Sequence, residues 1–183
     1  MNRSLTVFAI LALSSVGVAQ GGETCALAQD VGTSLSFPYD ITSATSDSVP
    51  NCDNSFSGTV PFFYEVWFTW TAPSTDTWIM TNNGPDLMVG AYDGDMCGVS
   101  TMTTCHDSTG TDAVAFNAIG GQKYLLVVGS WSISFWGAGT IEMATAPAPV
   151  QNPGNGNWYL HMPISEHWDY VDQLAASMTH MGM

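Results

Sequence analysis

The stretch EVWFTWTAP, residues 65–73, decides the fold class of this 183-residue chain. Its apolar side chains Val66, Phe68 and Trp70 recur at every second position, which is the period of a β-strand. The turn residues APSTD, at 72–76, end that strand. We therefore expect a β-rich domain around this segment.

Further strands are predicted wherever an apolar run lies between turn residues. These runs lie near Leu35 and Phe37, at 78–80, at 87–92, near Val114 and Phe116, at 124–128 and at 140–143. No segment before residue 145 has helical periodicity. Short strands with regular turns predict an all-β domain over residues 20–144, an antiparallel β-sandwich of the jelly-roll or immunoglobulin-like kind.

The N-terminus has the pattern of a secretion signal. Arg3 supplies a positive charge, residues 5–18 carry none, and Gly17-Val18-Ala19 offers a cleavage site after Ala19. The apolar run is shorter than the roughly 20 residues that span a bilayer. Residues 1–19 are therefore predicted to be a signal peptide. The mature chain is expected to be extracellular or on the cell surface, with no membrane insertion.

The chain is strongly acidic. Loss of Arg3 leaves Lys123 against 16 Asp and Glu, one unit more negative than the formal charge of −14 of the full chain. Such a surface repels phosphate backbones and anionic membranes, which excludes nucleic acid as a partner. Two explanations of the acidity stay open, namely attraction of divalent cations and adaptation to salty water.

Four cysteines in an exported chain predict two disulfides. They are Cys25, Cys52, Cys97 and Cys105. Three pairings are compatible with the sequence, and nearness along the chain favours Cys25–Cys52 with Cys97–Cys105. A metal site built on these cysteines is not expected, because Cys-x-x-Cys spacing is absent.

The composition changes after the domain. Residues 145–157 are rich in Pro, Asn and Gly and predict a linker. In the tail, 158–183, Ser165 can cap a helix that starts at Glu166 and has one apolar face, formed by Trp168, Val171, Leu174, Ala175 and Met178. We interpret this as a short helical tail or as the start of a truncated second domain.

Four loop carboxylates form a candidate calcium site. They are Asp86, Asp93, Asp95 and Asp107. Ca²⁺ takes six to eight oxygen ligands, which loop carboxylates and backbone carbonyls can supply. The alternative is ordinary turn chemistry with solvated acids. No other cofactor is indicated.

The segment WSISFW, residues 131–136, joins the last two predicted strands. Trp131, Phe135 and Trp136 are the candidate ligand-binding residues, because aromatic side chains are enriched at binding surfaces. An extracellular glycan or a protein are the partners considered. The alternative is that these rings fold back and cap the sandwich.

The chain has no Gly-x-Ser-x-Gly, His-Glu-x-x-His or Gly-rich phosphate loop. Both bridges together would use every cysteine. We therefore expect that the protein is not an enzyme.

Five motifs resemble a family of secreted bacterial, planctomycete-like β-sandwich modules related to the pre-peptidase C-terminal domain. They are EVWFTWTAP (65–73), AYDG (91–94) with CG (97–98), CHD (105–107), FNA (116–118) with GGQKYL (120–125), and GTI (139–141). Cys25 and Cys52 lie where such modules often carry a cysteine pair. Asn82-Asn83-Gly84 and Ser108 depart from the family pattern, and the loop after Cys105 is poorer in carboxylates. The resemblance implies an accessory extracellular module without catalysis.

The tail resembles the opening of a C-type lectin-like domain. The matching residues are Gly156-Asn157-Trp158-Tyr159, Trp168, Leu174-Ala175 and His180-Met181. The sequence as a whole predicts a secreted, non-catalytic binding or adhesion module for a carbohydrate or a protein. The alternatives are the N-terminal accessory domain of a secreted hydrolase and that of a calcium-assisted C-type lectin-like protein, truncated here.

Overall fold

The computed structural model describes residues 21–45, 51–55, 58–107, 110–148, 150–151, 153–154 and 158–159. They form thirteen strands and one 3-10 turn, Cys25–Leu27. Among them, no helix is both long and apolar enough to cross a membrane. The predicted signal peptide (1–19) and the predicted helix from Glu166 lie outside the described residues.

Nine of the strands form two sheets. Sheet A has the neighbour order β1 (Gln29–Gly32), β5 (Phe63–Thr71), β10 (Lys123–Ser130), β7 (Met88–Tyr92) and β8 (Met102–His106). Sheet B has the order β2 (Ser36–Asp40), β11 (Ala138–Thr145), β6 (Asp76–Asn83) and β9 (Ala113–Ala118). Two short hairpins complete the list, β3 (Asn51–Ser55) with β4 (Gly58–Pro61), and β12 (Val150–Gln151) with β13 (Trp158–Tyr159).

The two sheets confirm the predicted β-sandwich, and a strand overlaps every apolar run that the sequence identified. Pairing within the sheets is antiparallel except for β1, which runs parallel to β5. This strand reads QDVG and differs from the predicted pattern because it carries no apolar alternation. Its position is set by hydrogen bonding along β5.

The space between the sheets holds the main core. Val66, Phe68 and Trp70 of β5 face it and are fully buried. The ring centroid of Trp70 lies 5.0 Å from that of Trp78 and 6.1 Å from that of Phe116. Because Trp78 and Phe116 belong to sheet B, this aromatic cluster joins the two layers.

A second apolar cluster covers the outer face of sheet A. Trp67, Leu125 and Val127 belong to it and are 4%, 1% and 0% exposed. Cys52 of the β3–β4 hairpin is part of the same cluster. Sheet A is therefore buried on both faces, which explains why the sequence of β10 is apolar at consecutive positions.

Both predicted disulfides are present, but the pairing expected from nearness along the chain is wrong. Cys25 bonds to Cys97, with Cα atoms 5.7 Å apart, and Cys52 bonds to Cys105, with Cα atoms 5.6 Å apart. The physical reason is packing, because the β3–β4 hairpin lies against β8, which carries Cys105. The stretch between Cys25 and Cys97 overlaps the stretch between Cys52 and Cys105, so the two bridges are interleaved along the sequence.

The predicted linker, 145–157, is partly structured. Thr145 ends β11, and the amide of Ala146 donates a hydrogen bond to the carbonyl of Thr77 at 2.8 Å. Val150–Gln151 pairs with Trp158–Tyr159, the first described residues of the predicted tail. The linker and the tail therefore share one short hairpin.

Two buried tyrosines couple folding to alkaline pH. Burial raises the pKa of Tyr39 and of Tyr92 above the ordinary tyrosine value. The Tyr39 hydroxyl also donates a hydrogen bond to Asn82 Oδ1 at 2.6 Å. Above about pH 10 the unfolded chain loses these protons while the folded chain keeps them, so stability falls as pH rises.

We expect the free energy of unfolding to fall above about pH 10 by about 1.4 kcal/mol per pH unit for each of the two tyrosines. No such loss is expected below that pH. Tyr39→Phe removes one of the two groups, so the alkaline slope should drop by half. Urea unfolding at about pH 9 to 11 measures it. An alkaline slope that is the same in the variant and the native protein contradicts this assignment.

Candidate functional site

The segment that joins β10 to β11 carries the candidate ligand-binding residues. We call residues 131–136 the aromatic loop. Ser130 Oγ donates a hydrogen bond to the carbonyl of Ser132 at 2.6 Å and accepts one from its amide at 3.1 Å. The amide of Ser134 donates to Ser132 Oγ at 3.3 Å. The hydroxyls of Ser130 and Ser132 thus form hydrogen bonds with backbone groups of the loop and hold it in a defined turn.

The loop also ends at a fixed point. The carbonyl of Gly137 accepts a hydrogen bond from the amide of Ile41 at 3.0 Å. A Cβ atom at Gly137 would lie 2.7 Å from Pro85 Cγ, so the backbone passes close against that ring. The aromatic loop is therefore anchored at both ends, by Ser130 and by Gly137.

The loop presents apolar surface to solvent. Ile133, Phe135 and Trp136 are 63%, 47% and 55% exposed. The rings of Trp131 and Phe135 stack at a tilt, with centroids 4.7 Å apart. The interpretation that the rings fold back as a cap does not hold for Phe135 and Trp136, whereas Trp131 is half-buried and packs against the apolar cluster on the outer face of sheet A.

Tyr64 joins this surface and was not identified in the sequence. Its ring meets that of Trp136 edge to face, with centroids 6.2 Å apart. The Tyr64 backbone has φ +51°, in the left-handed region that a bulky residue rarely adopts. The register of β5 against β10 shifts between Val128 and Ser130, beside Tyr64. This bulge places the tyrosine against the loop, and no sequence pattern signals it.

The four candidate calcium ligands do not come together. Asp86 precedes β7, whereas Asp93 and Asp95 follow it. Asp107 follows β8, which is antiparallel to β7, so it lies toward the Asp86 end. Among the described residues, no group of three or more His, Cys, Asp or Glu side chains is close enough to hold a metal ion.

Asp93, which follows β7, uses its carboxylate locally, whereas Asp86, which precedes β7, is distinguished by its burial. Asp93 Oδ1 accepts a hydrogen bond from the amide of Thr101 at 2.7 Å and so closes the β7–β8 turn. Burial raises the pKa of Asp86 above its ordinary value. Asp93 thus fits the turn chemistry that the sequence analysis gave as the alternative to calcium binding.

A histidine at the end of β8 and an aspartate just before β9 form a buried pair. His106 Nδ1 lies 3.6 Å from Asp112 Oδ1, and the two residues are 5% and 0% exposed. Asp112 Oδ2 also accepts a hydrogen bond from the amide of Leu87 at 3.1 Å. Both groups therefore lie inside the fold, and Asp112 links the residue before β9 to the residue before β7.

Comparison with known proteins gives a similarity to a solved domain. No protein-family model and no curated protein matches the chain. Among solved structures, the chain is similar to the pre-peptidase C-terminal domain of collagenase from Bacillus anthracis, at 12% identity and a TM-score of 0.42, over 63% of this chain and 93% of that one. The match names the same family as the sequence resemblance, while the fold itself rests on the strand order given above.

Proposed function

We propose that the chain is a secreted, non-catalytic module that binds a neutral glycan on the aromatic loop. The observation that carries this proposal is the exposure of Phe135 and Trp136 on a loop that is fixed at both ends. Rings that are exposed to water add little to the stability of a domain. Contiguous exposed apolar groups instead mark interaction sites.

The chemistry of the loop favours a sugar. The face of an aromatic ring carries partial negative charge and attracts the polarised C–H groups on the flat side of a pyranose ring. The serine hydroxyls at 132 and 134 lie on the loop and are not fully buried, so they can exchange hydrogen bonds with sugar hydroxyls, whereas Ser130 is buried and serves only to hold the loop. The formal charge of −14 opposes anionic polysaccharides, so we expect a neutral glycan.

We expect the native protein to bind neutral polysaccharides on a glycan array and not alginate or other anionic ones. Phe135→Ala and Trp136→Ala should each weaken binding about tenfold, since one aromatic contact contributes about 1.5 kcal/mol. The melting temperature should stay within about 2 °C of the native value, because surface substitutions cost little stability.

Leu27→Ala is the matched control, since Leu27 is 70% exposed and lies in the 3-10 turn, away from the loop. It should bind as the native protein does. Binding that is equal in the control and in both aromatic variants would overturn the proposed site. Binding of a protein and of no glycan would contradict the glycan proposal and make a protein the ligand.

A second candidate function is an accessory module of an extracellular hydrolase, which the sequence resemblance implies. Collagenase, whose pre-peptidase C-terminal domain is named above, is an example of a hydrolase that carries such a domain. An accessory module also acts by binding, so the aromatic loop serves either function. Hydrolysis of the bound polymer by the full-length gene product, and not by this chain, supports the accessory role.

A further inference from the structure

An open groove lies at the other end of β10 from the aromatic loop. Its volume is about 690 Å³. The floor is formed by the buried rings of Tyr92, Phe116 and Tyr124. Thr103 of β8 and Asn117 of β9 stand on its two sides. The groove therefore runs between the last strand of sheet A and the last strand of sheet B.

The wall on the side of sheet B is the free edge of β9. Residues 115–118 all line the groove, and among the residues that the structure describes β9 pairs with β6 alone. Asp112 is the residue before β9, and its carbonyl accepts a hydrogen bond from the amide of Asn82 at 2.8 Å. Antiparallel pairs alternate, so Val114 and Phe116 bond to β6, whereas the N–H and C=O groups of Ala115 and Asn117 point to the open edge.

The groove is acidic. Asp76 and Asp93 line it, and none of its other described lining residues is a Lys or Arg. One oxygen of each carboxylate accepts a backbone hydrogen bond, from Thr77 to Asp76 Oδ1 at 2.8 Å and from Thr101 to Asp93 Oδ1 at 2.7 Å. Lys123, the one basic side chain of the described residues, donates to Asp30 Oδ2 at 2.6 Å. The negative charge of the groove is thus left for a partner to neutralise.

We propose that this groove binds an extended basic segment of another protein, which pairs with β9 as an added strand and places Lys or Arg side chains beside Asp76 and Asp93. A free strand edge is a template for such pairing, and alternate side chains give it specificity. A second copy of this chain fits poorly, because the full chain carries 16 acidic and 2 basic residues and the two edges would repel. This site is independent of the glycan site on the aromatic loop.

The test uses the native protein and two capped hexapeptides, one alternating valine with lysine and one alternating valine with glutamate. Calorimetric titration should show binding of the lysine peptide at least about tenfold tighter than that of the glutamate peptide, because like charges oppose the second. Raising the salt from about 50 to 500 mM should weaken binding of the lysine peptide severalfold. Equal affinity for the two peptides, or no binding of either, would overturn the proposal.

Amide exchange distinguishes strand addition from a peptide that only lies in the groove. The amides of Ala115 and Asn117 should exchange quickly in the free protein and slowly with the lysine peptide, while those of Val114 and Phe116 are slow in both. Unchanged exchange at 115 and 117 would contradict strand pairing.

Variants test the two contacts separately. Ala115→Pro removes an N–H on the open edge, where proline is tolerated, and should abolish peptide binding, while Ala115→Val keeps the N–H and should bind. Asp76→Asn with Asp93→Asn keeps both Oδ1 acceptors and should weaken binding about threefold to tenfold. Trp136→Ala should leave peptide binding unchanged. Dimerisation of the native protein that Ala115→Pro abolishes would instead make a second copy the occupant and overturn the proposal.

Discussion

Replacing Cys52 and Cys105 together by alanine should lower the free energy of unfolding by about 4 kcal/mol and the melting temperature by about 10–20 °C. The bridge joins residues 53 positions apart, so its loss frees a long loop in the unfolded chain. It also fixes the β3–β4 hairpin over the outer face of sheet A, where Cys52 is fully buried. Calorimetry of the variant and the native protein measures both effects.

The same variant tests the pairing. With Cys25 bonded to Cys97, the variant has no free thiol, even when unfolded. With the pairing that nearness along the chain favours, Cys25 and Cys97 would each lose their partner and two thiols would titrate. Thiol titration in denaturant therefore separates the pairings without reference to stability. Two reactive thiols would contradict the observed bridges.

Trp70→Ala should cost about 4 kcal/mol of unfolding free energy, as expected for removal of a large buried ring. Trp70 is fully buried, and its Nε1–H donates to the carbonyl of Ser34 at 3.0 Å. Its ring meets Trp78 at a centroid distance of 5.0 Å and Tyr124 at 6.5 Å. One side chain thus supports both sheets and the floor of the groove. Urea unfolding at neutral pH is the measurement.

Trp70→Phe is the control, because it keeps an aromatic ring in the cluster and loses the hydrogen bond to Ser34. It should cost about 1–2 kcal/mol, which is the range for one buried donor or acceptor left without its partner. A loss below about 1 kcal/mol for Trp70→Ala would mean that the sheets do not meet at this residue.

The strands that sequence reasoning identified are those in which burial alternates or is complete. In β5 the alternation of Val66, Phe68 and Trp70 marks the face toward sheet B, and in β10 the continuous apolar run marks burial on both faces. The strands β1, β3, β4 and β8 carry polar or mixed sequences such as QDVG and MTTCH. Their place depends on hydrogen bonds and bridges to distant residues, which leave no local pattern.

The candidate site shows the same division. Trp131, Phe135 and Trp136 could be identified because three aromatics occur within one short loop. Tyr64 could not, since a register shift between β5 and β10 brings it to Trp136. The four aspartates are close along the chain, but β7 separates them in space. The groove could not be predicted from the sequence either, because it lies between two sheet edges that are distant in sequence and meet only in the fold.

The indole N–H signals of Trp131 and Trp136 provide the most direct test of the account. In a two-dimensional nitrogen–proton spectrum, we expect titration with a neutral gluco-oligosaccharide, or with the tightest neutral glycan from the array, to shift these two signals. The signals of the buried Trp70 and Trp78 should stay in place. Glycan binding that shifts other residues and leaves Trp131 and Trp136 unchanged would contradict binding on the aromatic loop.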